Sequence, residues 1–285
     1  MKVFSKRNSL LCPNCRRLVS RNAVSCPHCG LRRPGAGWKN NPVTRLFGDD
    51  NGIIKLIISL SGFMYIFSIL IDPRFAALGG SPFHFLGPSN SSLLMLGSTG
   101  LIPVFQLHDW WTLVSAGYLH GGLLHIVFNM IALYQLGPLL INEFGGSRVF
   151  IIYTLSSIGG FLLSSVMGVY FTIGASAGIC GLIGAALYYG KSRGGTYGNA
   201  VYSQISGWAI GIFLFGFFIP GINNWAHGGG MVTGAIVAFL LGYREKVGDR
   251  FSHTALAMLC LLVTVLVLCW SIANGVLLLL NRPSL

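Results

Sequence analysis

An all-α polytopic membrane protein preceded by a small metal-held module is the fold class this sequence predicts, on three observations. Of its 285 residues, 53% are hydrophobic and only 9% are charged, whereas ordinary soluble domains carry about 25% charged residues. Apolar runs near the roughly 20 residues that cross a bilayer recur along the chain, and the 39 glycines suit helices that pack closely in lipid. Two Cys-x-x-Cys pairs stand ahead of the first such run. Disordered, collagenous and disulfide-rich secreted classes are excluded by the same composition.

Residues 1 to 34 are polar and basic and hold Cys12-Pro13-Asn14-Cys15 and Cys26-Pro27-His28-Cys29-Gly30, two knuckles separated by ten residues. One knuckle brings two thiolates to an ion and two complete a tetrahedral shell, so Cys12, Cys15, Cys26 and Cys29 are the expected ligands of one structural Zn²⁺. His28 is a spacer, because both knuckles are complete without it. Disulfides are disfavoured, since a basic N-terminus is expected in the reducing cytosol. A segment this small has no core of its own and folds only with metal. It resembles the zinc-ribbon modules of many bacterial proteins. Residues 35 to 51, opening with Gly35, Gly37 and Pro42 after Pro34, read as a linker. The polar start from Met1 to Leu11 lacks the apolar core of a signal peptide.

Seven membrane helices are expected, near residues 52–71, 121–142, 148–170, 175–190, 204–220, 224–242 and 254–280. The net charge of +12 is a topology signal, because 11 of the 19 basic residues precede or open the first apolar run. With the N-terminus in the cytosol, 17 basic residues lie inside and only Arg74 and Arg282 outside. The expected location is a cell (inner) membrane, with the C-terminus outside. Residues 73 to 120 form a long outer loop in which Trp110 and Trp111 read as interfacial anchors.

Polar residues inside membrane helices are costly, so each needs a reason. Asn129, Ser176 and His227 lie 14, 15 and 17 residues from the charged cytosolic ends of their helices, which at 1.5 Å per residue puts all three about 21 to 26 Å up, in one layer. His125 lies one turn above Asn129, and His120 near that helix's entrance. Ser176 opens a helix within Gly174-Ala175-Ser176-Ala177-Gly178, and His227 shares its helix face with Gly230 and Gly234. Those glycines allow close approach to the helix of Ser176, Gly178, Gly181 and Gly184, bringing imidazole within reach of hydroxyl. All seven acids (Asp49, Asp50, Asp72, Asp109, Glu143, Glu245 and Asp249) fall in loops or at helix ends. The arrangement therefore points to a Ser/His dyad with His227 as general base and then acid. Asn129, His125 and the Ser176 N–H are the candidate donors to an oxyanion.

Tyr118-Leu119-His120-Gly121-Gly122-Leu123-Leu124-His125 with Asn129, then Gly174-Ala175-Ser176, then Asn224-Trp225-Ala226-His227 with Gly230 and Gly234, resemble the rhomboid intramembrane serine proteases over roughly residues 105 to 245. The resemblance implies Ser176 as nucleophile, His227 as base and His125 with Asn129 at the oxyanion. It also implies a six-helix core over 52–242, with 243–285 adding a cytosolic loop and a seventh helix, and transmembrane proteins as substrates. This chain departs from the family with Ala177 after the serine, Trp111-Thr112 in the outer loop and Cys180 one turn after Ser176. Cys180, like Cys260 and Cys269, reads as a small apolar filler. The second reading is an inactive rhomboid-like scaffold that binds membrane helices. A transporter would show charges along a pathway or an internal repeat, and neither is visible. The lipid bilayer and a protein partner of the zinc ribbon are the expected contacts; nucleic acid is not, for want of interleaved aromatics.

Overall fold

The computed structural model describes residues 8–13, 15, 17–37, 41–47, 51–72, 85–219, 221–247 and 250–281. Of the charges counted above, Lys2, Lys6, Arg7, Arg16, Lys39, Arg74, Arg282, Asp49, Asp50 and Asp249 lie outside the described residues.

The N-terminal module is a two-stranded antiparallel hairpin, β1 (Ser9–Leu11) and β2 (Leu18–Ser20), followed by a tight loop closed by a bridge between Ser25 and Arg32. The expected linker contains one short helix, α1 (Pro42–Leu46). Asn41 starts it by the reciprocal pairing its position allows: Thr44 N–H donates to Asn41 Oδ1 (2.9 Å) and Asn41 N–H to Thr44 Oγ1 (3.1 Å).

Among the described residues seven long helices follow: α2 (Gly52–Leu70), α5 (Leu123–Phe144), α6 (Gly146–Val166), α7 (Ser176–Arg193), α8 (Gly195–Phe218), α9 (Asn224–Leu241) and α10 (Phe251–Leu280). Between α2 and α5 lie α3 (Asn90–Met95), a π-helical turn (Ile102–Gln106), α4 (Thr112–Ser115) and a 3-10 turn (Ala116–Tyr118). The expected and observed spans agree except at a few ends. Helix α6 stops at Val166, four residues short, because Gly168 turns the chain at φ +85°. Helix α8 starts nine residues early, since Gly194 and Gly195 make the turn and the polar segment after them packs on α7, where a side chain on Gly190 would meet the Gly198 carbonyl.

Five of the seven (α2, α5, α6, α8 and α10) are long and apolar enough to cross a membrane by length and composition alone. The two less apolar helices, α7 and α9, bear Ser176 and His227. Helix α7 is the centre of the bundle, packed on α9, α8, α6 and α5, and Ala177 to Ala186 are all buried. A helix shielded by other helices has little lipid to satisfy, so glycine and serine replace leucine there. The α7–α9 packing is the most extensive between helices among the described residues, and it depends on missing side chains. A Cβ on Gly230 would overlap the Ala177 carbonyl, and one on Gly234 the Gly181 carbonyl. Gly234→Val should therefore force the two helices apart at a cost of about 1–3 kcal/mol, read as a lowered unfolding midpoint in detergent; an unchanged midpoint would remove the packing role given to Gly234.

Helix α10 packs on α6, α4 and α3. Near its end Ser271 Oγ donates to the Leu96 carbonyl (2.6 Å) and Asn274 Nδ2 to that of Met95 (3.1 Å), fixing the end of α3. At the opposite end of the bundle the fully buried Arg148 guanidinium donates to the Phe144 (2.8 Å) and Val247 (2.6 Å) carbonyls, which is how a buried charge is kept solvated.

Candidate active site and metal centre

Ser176 is the first helical residue of α7, and His227 lies in the first turn of α9. They are 51 positions apart in sequence, and the chain folds back so that His227 Nε2 and Ser176 Oγ stand 2.9 Å apart. His227 is buried, and among the described residues its Nδ1 has no hydrogen-bond partner. The geometry is that of a hydroxyl–imidazole pair, and among the described residues no carboxylate bonds the far side of the imidazole. That pairing matches the separation a general base needs from the hydroxyl it deprotonates.

The loop entering Ser176 is held on both sides. Thr172 and Thr99 exchange backbone hydrogen bonds (2.6 and 3.0 Å), and Gly174 N–H donates to the Ala116 carbonyl (2.9 Å). Gly174 has φ +124°, and a Cβ there would come within 2.7 Å of His125 Nε2. Only glycine lets the His125 ring lie against this loop beside Ser176. The ring's other nitrogen, Nδ1, accepts from Gly121 N–H at 3.3 Å, which leaves Nε2 facing the loop. Asn129 is buried one turn below, with its carboxamide nitrogen donating to the His125 carbonyl at 2.9 Å. That nitrogen carries a second hydrogen. His120, just ahead of the start of α5, is fully buried with its ring centre 5.1 Å from that of His125, so it lines the wall behind that ring.

The departures from the family pattern have local accounts. Thr112 Oγ1 donates to the Asp109 carbonyl (2.7 Å) and is paired with the Thr99 hydroxyl (3.1 Å), and Trp111 Nε1 donates to Asp109 Oδ1 (3.1 Å), so the outer loop is anchored by hydroxyl and indole. Trp110 is half exposed, as an interfacial anchor would be, and meets Phe105 edge-on at 5.8 Å. Ala177 and Cys180 are buried in the α7 packing. One residue in the site's support escaped the sequence reading: Asn223 caps α9, its Oδ1 accepting from Ala226 N–H at 3.1 Å. An asparagine just ahead of a helix is an N-cap signal, but a neighbouring asparagine, Asn224, obscured it.

At the N-terminal module the four cysteine sulfurs lie within 4.8 Å of one another and can hold a metal ion. Cys12 and Cys29 sulfurs are 3.7 Å apart, and Cys15 and Cys26 sulfurs 3.6 Å. Tetrahedral thiolates about 2.3 Å from one ion stand about 3.8 Å apart, so the donor set fits. Each knuckle sits in a turn, with Cys12 N–H donating to the Arg17 carbonyl and Cys26 N–H to that of Leu31, both at 2.9 Å. Burial pushes the Cys15 thiol up to about 12. At Cys26 burial also opposes the thiolate, but the His28 and Cys29 backbone N–H groups with the Cys15 and Cys29 thiols outweigh it and bring the group down to about 7. His28 points elsewhere, its Nδ1 3.5 Å from Arg17 Nη1.

Residues 107–244 match the Rhomboid domain family. The chain is 35% identical over 174 residues to RHOMBOID-like protein 6, mitochondrial, of Arabidopsis thaliana, covering 60% of this chain and 57% of that protein. It is 34% identical over 156 residues to Rhomboid protease GluP of Bacillus subtilis (strain 168), covering 55% of this chain and 31% of GluP. It is also 29% identical over 237 residues to Inactive RHOMBOID-like protein 8 of Arabidopsis thaliana, covering 70% of this chain and 65% of that one. The matches span only about half the length of the curated relatives, 57%, 42% and 54% of the first three.

Proposed function

We propose, from the Rhomboid-domain match over residues 107–244 and the rhomboid-named relatives, that this chain is a rhomboid-family intramembrane serine endopeptidase that cuts peptide bonds in or near the transmembrane segments of other proteins. The observation that carries this reading is the 2.9 Å contact between His227 Nε2 and Ser176 Oγ. Ser176 Oγ attacks the scissile carbonyl carbon while His227 Nε2 takes its proton. The imidazolium then gives that proton to the departing amine, leaving an acyl ester on Ser176. Water, deprotonated by the same nitrogen, cleaves the ester and restores the hydroxyl. The oxyanion of each tetrahedral intermediate sits at the start of α7, whose first-turn N–H groups have no intrahelical acceptor. Asn129, through its second hydrogen, and His125 Nε2 complete the donors.

In this reading residues 52–242 are the protease core, 1–34 the ribbon, 35–51 the linker and 243–285 the loop with the added helix. The N-terminus is cytoplasmic in a cell (inner) membrane, and Ser176 lies toward the outer face. The test is a fluorophosphonate probe on the purified chain together with model single-span substrates. Labelling at Ser176 with cleavage supports the enzyme; neither would favour the inactive scaffold, for which the Inactive RHOMBOID-like protein 8 is a precedent.

The ribbon's metal is Zn²⁺ held by Cys12, Cys15, Cys26 and Cys29, where it supplies fold rather than reaction chemistry. One zinc per chain is expected, lost in Cys12→Ser and on acidification, because protons compete for the thiolates. A chain lacking residues 1–34 should retain cleavage. Elemental analysis beside an activity assay checks both, and a truncated chain that no longer cuts, or a full chain whose cleavage is lost with its zinc and returns with it, would overturn this assignment.

A further inference from the structure

Asn223 ties the two halves of the site together. It stands four residues ahead of His227, and Thr172 stands four residues ahead of Ser176. Asn223 Nδ2 donates to Thr172 Oγ1 (3.0 Å) and to Ser164 Oγ (2.6 Å), while Oδ1 caps α9 through Ala226 N–H (3.1 Å). Its own carbonyl accepts from His227 N–H at 3.1 Å. One side chain therefore holds the start of the histidine helix, the loop that leads into Ser176 and, through buried Ser164, the helix α6. Thr172 is in turn fixed by its backbone pairing with Thr99, and Thr99 by the Thr112 hydroxyl.

We infer that Asn223 is a positioning residue that sets the distance between His227 and Ser176 by bridging the histidine helix to the serine loop through Thr172. This rests on the dyad reading above. Without the bridge, α7 and α9 still touch along their glycines and pack through Ala177 and Ala226, but among the described residues the dyad contact is then the one side-chain hydrogen bond left to fix the two reacting groups against each other. A displacement of about 1 Å between reacting groups is enough to cost about 100-fold in rate.

Two variants separate bridging from folding. Asn223→Ser keeps a good helix cap on a side chain too short to reach Thr172, and Thr172→Val removes only the hydroxyl. Each should lower kcat and the rate of fluorophosphonate labelling by about 10- to 100-fold, with KM within about twofold and an unfolding midpoint close to that of the unaltered chain. The double variant should be no slower than the worse single one, since both break one bridge. Full rates in Asn223→Ser, or losses that merely follow the midpoint or multiply in the double variant, would overturn the inference.

A readout that does not need turnover distinguishes this from failure of the protease reading. Ring ¹⁵N shifts of His227, identified by subtraction of a His227→Gln spectrum, report its hydrogen bond to Ser176, and Ser176→Ala gives the shift for the broken bond. If the unaltered chain neither labels nor cuts, the protease reading fails while the bridge is still judged. Asn223→Ser and Thr172→Val should move the ring signals toward the Ser176→Ala position, and unmoved signals would sink the bridge.

Discussion

Ser176→Ala and His227→Ala should each abolish cleavage of a single-span substrate, by about 10,000-fold or more, in chains that still insert and fold. The serine supplies the oxygen that forms the acyl ester in the proposed reaction, and the His227 imidazole is the base that stands 2.9 Å from it. Because the two act as one unit, the double variant should be no worse than either alone. Folding should survive, since the hydroxyl is small and α7 and α9 are held by their glycine contacts rather than by this hydrogen bond. Asn129→Ala is expected to differ in kind. It removes one donor to the oxyanion and should slow cleavage by about 10- to 1,000-fold without abolishing it. Cleavage rates with contaminating proteases excluded decide this: a working Ser176→Ala chain would end the dyad, and an unchanged Asn129→Ala rate would return Asn129 to its hydrogen bond with the His125 carbonyl.

What the sequence made legible follows from which forces act locally. Apolar runs and glycine spacing are local, so the seven helices and the close α7–α9 approach could be read from them. The cysteine knuckles were legible for the same reason: ligand spacing is itself the geometry. The ends of α6 and α8 were misplaced because a positive-φ glycine at 168 and packing of α8 on α7 decided them, and neither is a property of a hydropathy run. Ser176 and His227 could be paired by height along their helices. Asn223 could not, because its partners Ser164 and Thr172 are 59 and 51 residues away and become neighbours only in the fold. The grip of α10 on the end of α3 is likewise invisible until residues 175 and 179 positions apart are brought together.

Substrates whose membrane helix is unstable in its outer half should be cut at least about 10-fold faster than matched helices filled with leucine there. In a membrane helix each peptide carbonyl is already hydrogen-bonded, and lipid offers no replacement partner, so Ser176 cannot reach the carbonyl carbon until the segment unwinds. Glycine lowers that barrier by about 1 kcal/mol per residue and proline by about 3 relative to alanine, which is how one or two such residues reach a tenfold effect. The site adds two constraints. Ser176 opens its helix at the end of the bundle away from Lys191 and Arg193, which places it toward the outer face in the proposed topology. The loop beside it is built of Gly174 and Ala175, with Gly174 against the His125 ring, and from it a small residue such as alanine is expected before the cut. Mass-spectrometric mapping of cut sites in paired Gly- or Pro-containing and all-Leu substrates tests this. Equal cutting of the all-Leu helices would remove the unwinding step, and cuts clustered at the cytosolic end would reverse the assigned orientation.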